Sequence, residues 1–233
     1  MFPADSTFAG AYPINEKSEV TLKTLPWTVK DHVGEEYGDT FQGGVWMHCF
    51  LNTFDYHRQH APVSGKVIHA KVIKGAAYLE VVVKKDEQEG HNYLELCRLI
   101  RGRSKVKSDQ AKSGIHTVDV PNTPGYQFLQ TRGLIIIENE KLGKVAVLPI
   151  GMAQVSSVKL VDKLRENFDK NGEKIDDKPD TFVKKGDEIS HFEFGGSDCV
   201  MLFEQNARVS GFPSSKSRTH FFYGEKLATA HPI

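Results

Sequence analysis

The chain has 233 residues, 39% of them hydrophobic, so it can bury a substantial core in one large domain or two small ones. Thirty basic and thirty acidic side chains give a formal net charge of zero, so no global field favours nucleic acid or anionic lipid as a partner. The three cysteines (Cys49, Cys97, Cys199) lack metal-ligand spacing and indicate reduced thiols of an intracellular protein.

Targeting signals are not apparent in the sequence. The apolar runs are too short for a transmembrane helix, and the N-terminus lacks the pattern of a signal peptide. We therefore expect a cytoplasmic protein, with peripheral membrane contact as an open alternative. Residues 1–14 are apolar and punctuated by Pro, Asp and Gly, unlike the polar termini of most domains. This start predicts that the chain begins inside a domain, as a fragment or a trimmed protein does.

Short strand-like runs separated by turn residues dominate the rest of the chain. One short helix is predicted from Thr28, as N-cap, to Tyr37, with Gly38 beyond its end. The charged interval Asp162 to Asp180 is predicted to be a solvent-facing excursion. The pattern predicts a mainly β fold (α+β with few short helices) with antiparallel or mixed sheets. The predicted strands are Val20–Leu25, Val45–Leu51, Lys66–Ile73, Ala77–Lys84, Tyr93–Ile100, Tyr126–Thr131, Leu134–Glu138, Lys144–Ile150, Ala153–Leu160, Phe182–Phe194 (through a turn at 184–187) and Thr219–Tyr223.

A Gly-Gly-Ser sequence, Gly195-Gly196-Ser197, interrupts what otherwise reads as one strand from Phe192 to Phe203. Glycine permits backbone angles that other residues cannot adopt, so a serine here can be placed against its own preceding carbonyl. One interpretation is a β-bulge with a small polar residue. The other is a serine that attacks its preceding peptide bond.

The densest polar cluster runs from Asp55 to Gly65 and contains His57 and His60. A zinc site needs a third ligand, and none has evident spacing, so a metal is not expected here. Two interpretations stay open: hydrogen-bonded histidines at a strand end, or acid/base catalysts. An acid, a base and a hydroxyl at distant positions (Asp5, His60, Ser197) are the components of a catalytic triad, which geometry alone defines.

Asp55-Tyr56-His57-Arg58-Gln59-His60-Ala61-Pro62-Val63-Ser64-Gly65 resembles the D-Y-H-R-x-H-x-P-x-x-G block of the phosphatidylserine decarboxylase family. Gly196-Ser197 is similar to that family's self-cleavage site in its G-G-S subgroup, and Pro3 to Thr7 resembles the block that holds its catalytic aspartate. Gly143 to Val155 resembles a strand pair of the family's core. These blocks occur in the expected order, which predicts a single decarboxylase domain over residues 1–233.

The resemblance implies a zymogen that processes itself. His60, oriented by Asp5, would take the proton from Ser197, whose oxygen attacks the Gly196 carbonyl. Cleavage would give fragments 1–196 and 197–233, the second capped by a pyruvoyl group derived from Ser197. That keto group would form a Schiff base with the substrate amine and act as the electron sink, without a metal or pyridoxal phosphate.

The resemblance also assigns supporting roles. His57 would be the proton donor in turnover, Asp55 would orient or tune the histidines, and Gly195 would support the cleavage site. Tyr56 and Arg58 are expected to face away, because they alternate with the histidines along a strand. The remaining histidines, His48 and His69 among them, receive a structural interpretation only, and Cys199 is interpreted as a packed thiol.

The substrate implied is an amine-bearing carboxylate. The family's most common activity favours phosphatidylserine, converted to phosphatidylethanolamine. Asp198 stands where many lipid-acting members have Thr or Ser, and only four residues precede Asp5, where membrane-bound members have an apolar helical region. A soluble member that decarboxylates a free, aromatic amino acid such as tryptophan is therefore the first alternative. A non-catalytic binding protein on the same scaffold is the second, and family relatives suggest a homodimer.

Overall fold

A computed structural model describes residues 1–22, 25–52, 54–75, 79–85, 92–100, 118–120, 130–151, 157–193, 198–217 and 219–232. In chain order the strands are β1 Ser6–Pro13, β2 Glu19–Leu22, β3 Leu25–Thr28, β4 Val45–Phe50, β5 Arg58–His60, β6 Gly65–Ile73, β7 Leu79–Lys85, β8 Asn92–Ile100, β9 Val118–Val120, β10 Arg132–Asn139, β11 Gly143–Ile150, β12 Val158–Leu160, β13 Thr181–Val183, β14 Glu188–Phe192, β15 Asp198–Phe203 and β16 His220–Phe221. Two short helices are α1 Val29–Val33 and α2 Asp162–Asn167. The mainly β prediction is confirmed.

An eight-stranded sheet forms the centre of the molecule, in the order β13-β6-β10-β11-β15-β4-β1-β16. All of its pairings are antiparallel, as are those of the smaller sheets β12-β14-β5, β2-β3 and β7-β8-β9. The predicted strands at 20–25, 45–51, 66–73, 134–138 and 144–150 each overlap an observed strand. Most of the predicted strand 126–131 lies outside the described residues, as does the 153–156 part of another.

Both faces of the large sheet are buried, which explains why its central strands read as unbroken apolar runs. Along β15 the side chains alternate between two cores: Cys199 and Met201 pack in one, Val200 and Leu202 in the other. Cys199 is buried beside Cys49, whose Sγ donates a hydrogen bond to the Cys199 carbonyl at 3.4 Å. The interpretation of Cys199 as a packed thiol therefore agrees with its position.

Several elements differ from the sequence-based expectations. Residues Ser6–Pro13, which the sequence analysis did not assign to a strand, form β1 beside β4. Thr28 caps α1 as predicted, its Oγ1 accepting from the Asp31 N–H at 3.2 Å, but the helix ends at Val33, before Gly34, instead of at Tyr37. A glycine with φ of +91° stops it early. The expected excursion after Asp162 begins with α2, because Leu164 is buried in the core and anchors it.

Candidate active site

One end of the large sheet brings together strand ends that lie close in the chain to Asp5 and to the segment that begins at Asp55. Register pairs place Ile150, Asp198, Phe50, Thr7 and His220 side by side in one row across five strands. Adjacent strands lie about 4.8 Å apart, so Asp198 and Thr7 are about 10 Å apart through Phe50. Asp5 lies two residues before this row and Asn52 two after it. Asp198, which follows Ser197 in the sequence, thus begins its strand at this end.

His60 is held at the end of β5 by contacts to both ring nitrogens. Its Nδ1 lies 2.8 Å from the Gly186 carbonyl oxygen, and its Nε2 lies 3.3 Å from the Tyr56 hydroxyl. A carbonyl can only accept, so Nδ1 carries the proton and the neutral ring keeps its lone pair on Nε2. The residue is only 7% exposed, and its backbone N–H donates to the Pro3 carbonyl at 2.7 Å. His60 is therefore prepared to accept a proton at Nε2.

Asp5 and Tyr223 complete the surroundings of His60. The rings of Tyr223 and His60 stack with centroids 4.3 Å apart and planes 14° from parallel. The Tyr223 backbone N–H donates to Asp5 Oδ1 at 2.8 Å, which fixes that stack. Tyr56 stacks on Tyr223 in turn, with centroids 5.4 Å apart. Asp5 therefore acts on His60 indirectly, through its hydrogen bond to the Tyr223 backbone. The Gly186 carbonyl contacts Nδ1 of the His60 ring directly.

His57 directly precedes β5 and contacts different groups from His60. Its Nε2 is 3.0 Å from the Asn52 carbonyl, and its own carbonyl accepts from the Phe192 N–H at 3.0 Å. Asp55 accepts from the Asn52 backbone N–H at 2.7 Å and lies 3.1 Å from His220 Nε2. The Asp55 side chain is only 4% exposed, whereas that of His220 is 35% exposed. Asp55 therefore positions the peptide segment that His57 binds.

Comparison with known proteins identifies the family of this chain. The phosphatidylserine decarboxylase family profile matches residues 1–229.

The chain belongs to the phosphatidylserine decarboxylase family.

Bacterial relatives resemble it over nearly its whole length. The phosphatidylserine decarboxylase proenzyme of Fusobacterium nucleatum subsp. nucleatum is 24% identical over 231 residues, covering 97% of this chain and 60% of the relative. Proenzymes of the same name from Bacillus cereus (strain ATCC 10987) and Bacillus thuringiensis (strain Al Hakam) are each 26% identical over 230 residues, covering 97% of this chain and 66% of the relative. The chain thus spans 60 to 66% of the length of these relatives.

The family's histidine block and its aspartate block come together here, as the His60–Pro3 hydrogen bond shows. Gly195, Gly196 and Ser197, the predicted cleavage site, lie outside the described residues. The described neighbours are Phe192, whose N–H binds the carbonyl of His57, and Asp198 in the row at the sheet end.

The departure from the family pattern at Asp198 has a structural counterpart. Asp198 is fully buried, and its Oδ1 lies 2.9 Å from His48 Nε2 on the neighbouring strand β4. Burial alone would lower the pKa of His48, but the charge of Asp198 and its hydrogen bond raise that pKa above 6.5. One member of this buried pair, Asp198, is the next residue in the chain after the predicted cleavage serine. His48 is a polar residue inside the apolar run Val45–Phe50. A polar residue in such a run indicates a buried polar partner, and the sequence-based interpretation of His48 did not use this signal.

The expectation that Tyr56 faces away was wrong. Strand β5 begins only at Arg58, so strand alternation does not extend back to Tyr56, whose hydroxyl points to His60 Nε2. Arg58 does face the surface, where Nη1 pairs with Glu188 Oε1 at 2.5 Å. His220 and Tyr223 were also missed, since they are contributed by the C-terminal segment and no spacing relates them to the histidine block.

Within the described residues, no helix is long and apolar enough to cross a membrane.

Proposed function

We propose that this chain carries out the self-processing and decarboxylation of a pyruvoyl-dependent carboxy-lyase. One observation carries the proposal: the Gly186 carbonyl holds His60 in the tautomer whose Nε2 can accept a proton. This base belongs to a cluster tied to the sheet end where Asp198 begins β15, one residue after Ser197. The name of the relatives, proenzyme, supports a chain that is processed after synthesis.

In processing, His60 Nε2 takes the proton from the Ser197 hydroxyl, and the oxygen attacks the carbonyl carbon of Gly196. The peptide C–N bond breaks, the nitrogen gains a proton, and an ester replaces the amide. Loss of the Ser197 α-proton then expels the Gly196 carboxylate, and water releases the nitrogen as ammonia. A positioned general base of this kind contributes about 10² to 10⁴ in rate.

The residues present fit a pyruvoyl group, because its precursor is a serine in the chain and His60 offers a base of the required tautomer. When formed, the group supplies an electron sink for the electrons that carbon dioxide leaves behind.

The contacts of His57 support a role in turnover. Its Nε2 contacts the Asn52 carbonyl, and Asp55 fixes Asn52 from the other side. Its backbone carbonyl holds Phe192, the last residue of the strand that leads toward the cleavage site. We assign His57 as the donor of the proton that replaces the departing carboxylate, with Asp5 and Asp55 as positioning residues.

Exposed aromatic side chains around the site favour phosphatidylserine as the substrate. Phe54 is 85% exposed and Phe222 is 63% exposed, and the Phe222 ring contacts His220 at 5.4 Å between centroids. Tyr56 and Tyr223, which contact His60, are also exposed. Aromatic rings at a protein surface partition into the interfacial layer of a bilayer, so this rim suits an enzyme that takes its substrate from a membrane surface.

Chain integrity tests the processing step. The purified chain should give two fragments on a denaturing gel, and fragment 197–233 should be lighter by one ammonia than the same peptide beginning with serine. The Ser197→Ala variant should remain one band. A wild-type chain that stays intact at all times would contradict self-processing and favour the non-catalytic binding protein.

Carbon dioxide release separates the substrates. Processed chain is incubated either with phosphatidylserine vesicles or with free tryptophan, and release is expected from the vesicles only. Release from tryptophan alone would instead support the soluble amino-acid decarboxylase. Replacement of Phe54 and Phe222 by Ser should reduce vesicle binding and activity, while Phe182→Ser is the matched control. Phe182 is 61% exposed on β13, at the opposite edge of the large sheet.

A homodimer remains a prediction, for which the mass in solution is the measurement.

A further inference from the structure

Glu36, His69 and Glu173 come together on the face of the large sheet that carries the Trp46 core, with one ligand atom of each within 4.8 Å of the others. The three residues come from the turn region after α1, from β6 and from the loop after α2. Within the described part of the chain this is the one group of three side chains that can ligate a metal together. The cluster shares no residue with the active site.

His69 is an unusual residue for the interior of a sheet. It lies opposite Ile136 on β10 and is completely buried, yet neither ring nitrogen has a hydrogen-bond partner. Leaving a polar group unpaired in the interior costs free energy, so a partner for the His69 ring would stabilise the fold. Its Nδ1 faces Glu173, with 3.4 Å to Oε1, while the Tyr37 ring contacts its edge at 5.1 Å between centroids.

The loop around Glu173 is built to hold the carboxylate over His69. Asp169 Oδ1 accepts from the N–H groups of Asn171 at 2.8 Å and Glu173 at 2.9 Å. Gly172 has a φ of +94°, and its carbonyl accepts from the Ala70 N–H at 3.2 Å, which docks the loop on β6. A Cβ at position 172 would lie 2.4 Å from His69 Nε2, so only glycine permits this approach.

The chemistry of the three side chains matches a metal. A neutral imidazole coordinates metals, and His69 offers one ring nitrogen to this cluster. The two carboxylates supply two negative charges, which balance a divalent cation. The Tyr37 hydroxyl hydrogen-bonds Glu36, a supporting contact of the kind that orients ligating carboxylates.

We propose that Glu36, His69 and Glu173 bind a divalent transition-metal ion, such as zinc, that holds two loops against the large sheet. Ligands of tetrahedral zinc lie about 3.4 Å apart, so the glutamates need to move inward by about 1 Å. Both are exposed and can make this adjustment. The nitrogen ligand favours transition metals over magnesium and calcium, which prefer oxygen.

The expectation that no metal is bound rested on the residue spacing around His57 and His60. This cluster unites residues far apart in the chain, so their spacing gives no signal. Because the ion would join the loops at Glu36 and Glu173 to β6, its effect is on stability. The processing reaction does not depend on it.

Zinc titration tests the proposal on the full chain after treatment with a chelator. Zinc binding is followed by competition with a chromophoric chelator, and the melting temperature is measured with and without zinc. The wild-type chain should bind one equivalent at this site and melt at a higher temperature when zinc is present. Glu36→Gln and Glu173→Gln should each weaken that binding by about tenfold or more and abolish the rise in melting temperature.

Glu35→Gln is the matched control, because Glu35 is an exposed neighbour that pairs only with Lys30 in this region, at 3.5 Å. It removes the same charge and should bind zinc like the wild type. The exposed glutamates are used because replacing the buried His69 is expected to impair folding. Equal zinc affinity in the wild type and the Glu173→Gln variant, or no stabilisation of the wild type by zinc, would overturn the proposal.

Discussion

Tyr223 stacks on His60, joining residues on opposite sides of the predicted cleavage point, with ring centroids 4.3 Å apart. The Tyr223 N–H also binds Asp5 Oδ1, so one residue of the C-terminal segment connects the aspartate block to the histidine block. The ring stack and the hydrogen bond can both exist before and after cleavage, since neither involves the peptide bond between Gly196 and Ser197. The C-terminal segment therefore contributes to the site in addition to carrying the serine.

Replacing Tyr223 should slow processing through the position of His60. Tyr223→Ala removes the stacked ring but leaves the backbone bond to Asp5, and we expect processing to slow by about tenfold or more. Tyr223→Phe keeps the ring and should process within about twofold of the wild-type rate. The rate of fragment appearance on a denaturing gel measures both. Equal rates for the Ala and Phe variants would show that the stack does not position His60.

The two histidines should separate into two functions. His60→Ala should block the appearance of fragments, because the base that accepts the serine proton is lost. His57→Ala should still process, yet release carbon dioxide at least about a hundredfold more slowly, because the proton donor of turnover is lost. Gel densitometry and carbon dioxide release give the two readouts. Normal processing in the His60→Ala variant would refute the role given to that residue.

The ion pair of His48 and Asp198 should stabilise the fold in a pH-dependent manner. The pKa of His48 is raised in the folded chain, so the stabilisation is complete below the unfolded pKa of 6.5 and is lost as the pH rises through the folded value. In a Ser197→Ala background, which prevents cleavage, Asp198→Asn should lower the free energy of unfolding by about 1.5–3 kcal/mol near pH 6. The loss should be smaller near pH 9.

Urea unfolding at the two pH values measures this difference. Asp162→Asn serves as the control, because its carboxylate is 77% exposed and its pair with Arg165 lies at the surface. That control should change the free energy of unfolding by less than about 1 kcal/mol at either pH. A loss for Asp198→Asn that grows with pH would contradict the raised pKa of His48.

The two fragments should stay together after cleavage. Strand β15 lies between β11 and β4, pairs with both along its full length, and has every side chain buried. Removing it would expose both cores of the large sheet. We expect fragments 1–196 and 197–233 to elute together in gel filtration under native conditions and to separate in denaturant. Native elution of the small fragment alone would show that the sheet does not retain it.

Local sequence patterns were sufficient for most of the large sheet and for part of the site. The central strands are buried on both faces, so their apolar runs identified them without any knowledge of their partners. His57, His60 and Asp55 lie in one continuous block whose residue types suit acid/base chemistry, and Thr28 was recognisable as a helix cap because capping acts within three residues.

Contacts between distant segments were decided by the tertiary structure alone. The pair of His48 with Asp198 depends on the register of β4 and β15. The stack of Tyr223 on His60 and the meeting of Glu36, His69 and Glu173 depend on how loops and the C-terminal segment pack against the strands. The spacing of these residues encodes none of these contacts, because tertiary packing joins segments whatever their separation in the chain. The β-rich fold class and the histidine block are therefore readable from local patterns, whereas the partners that those side chains meet depend on how distant segments pack.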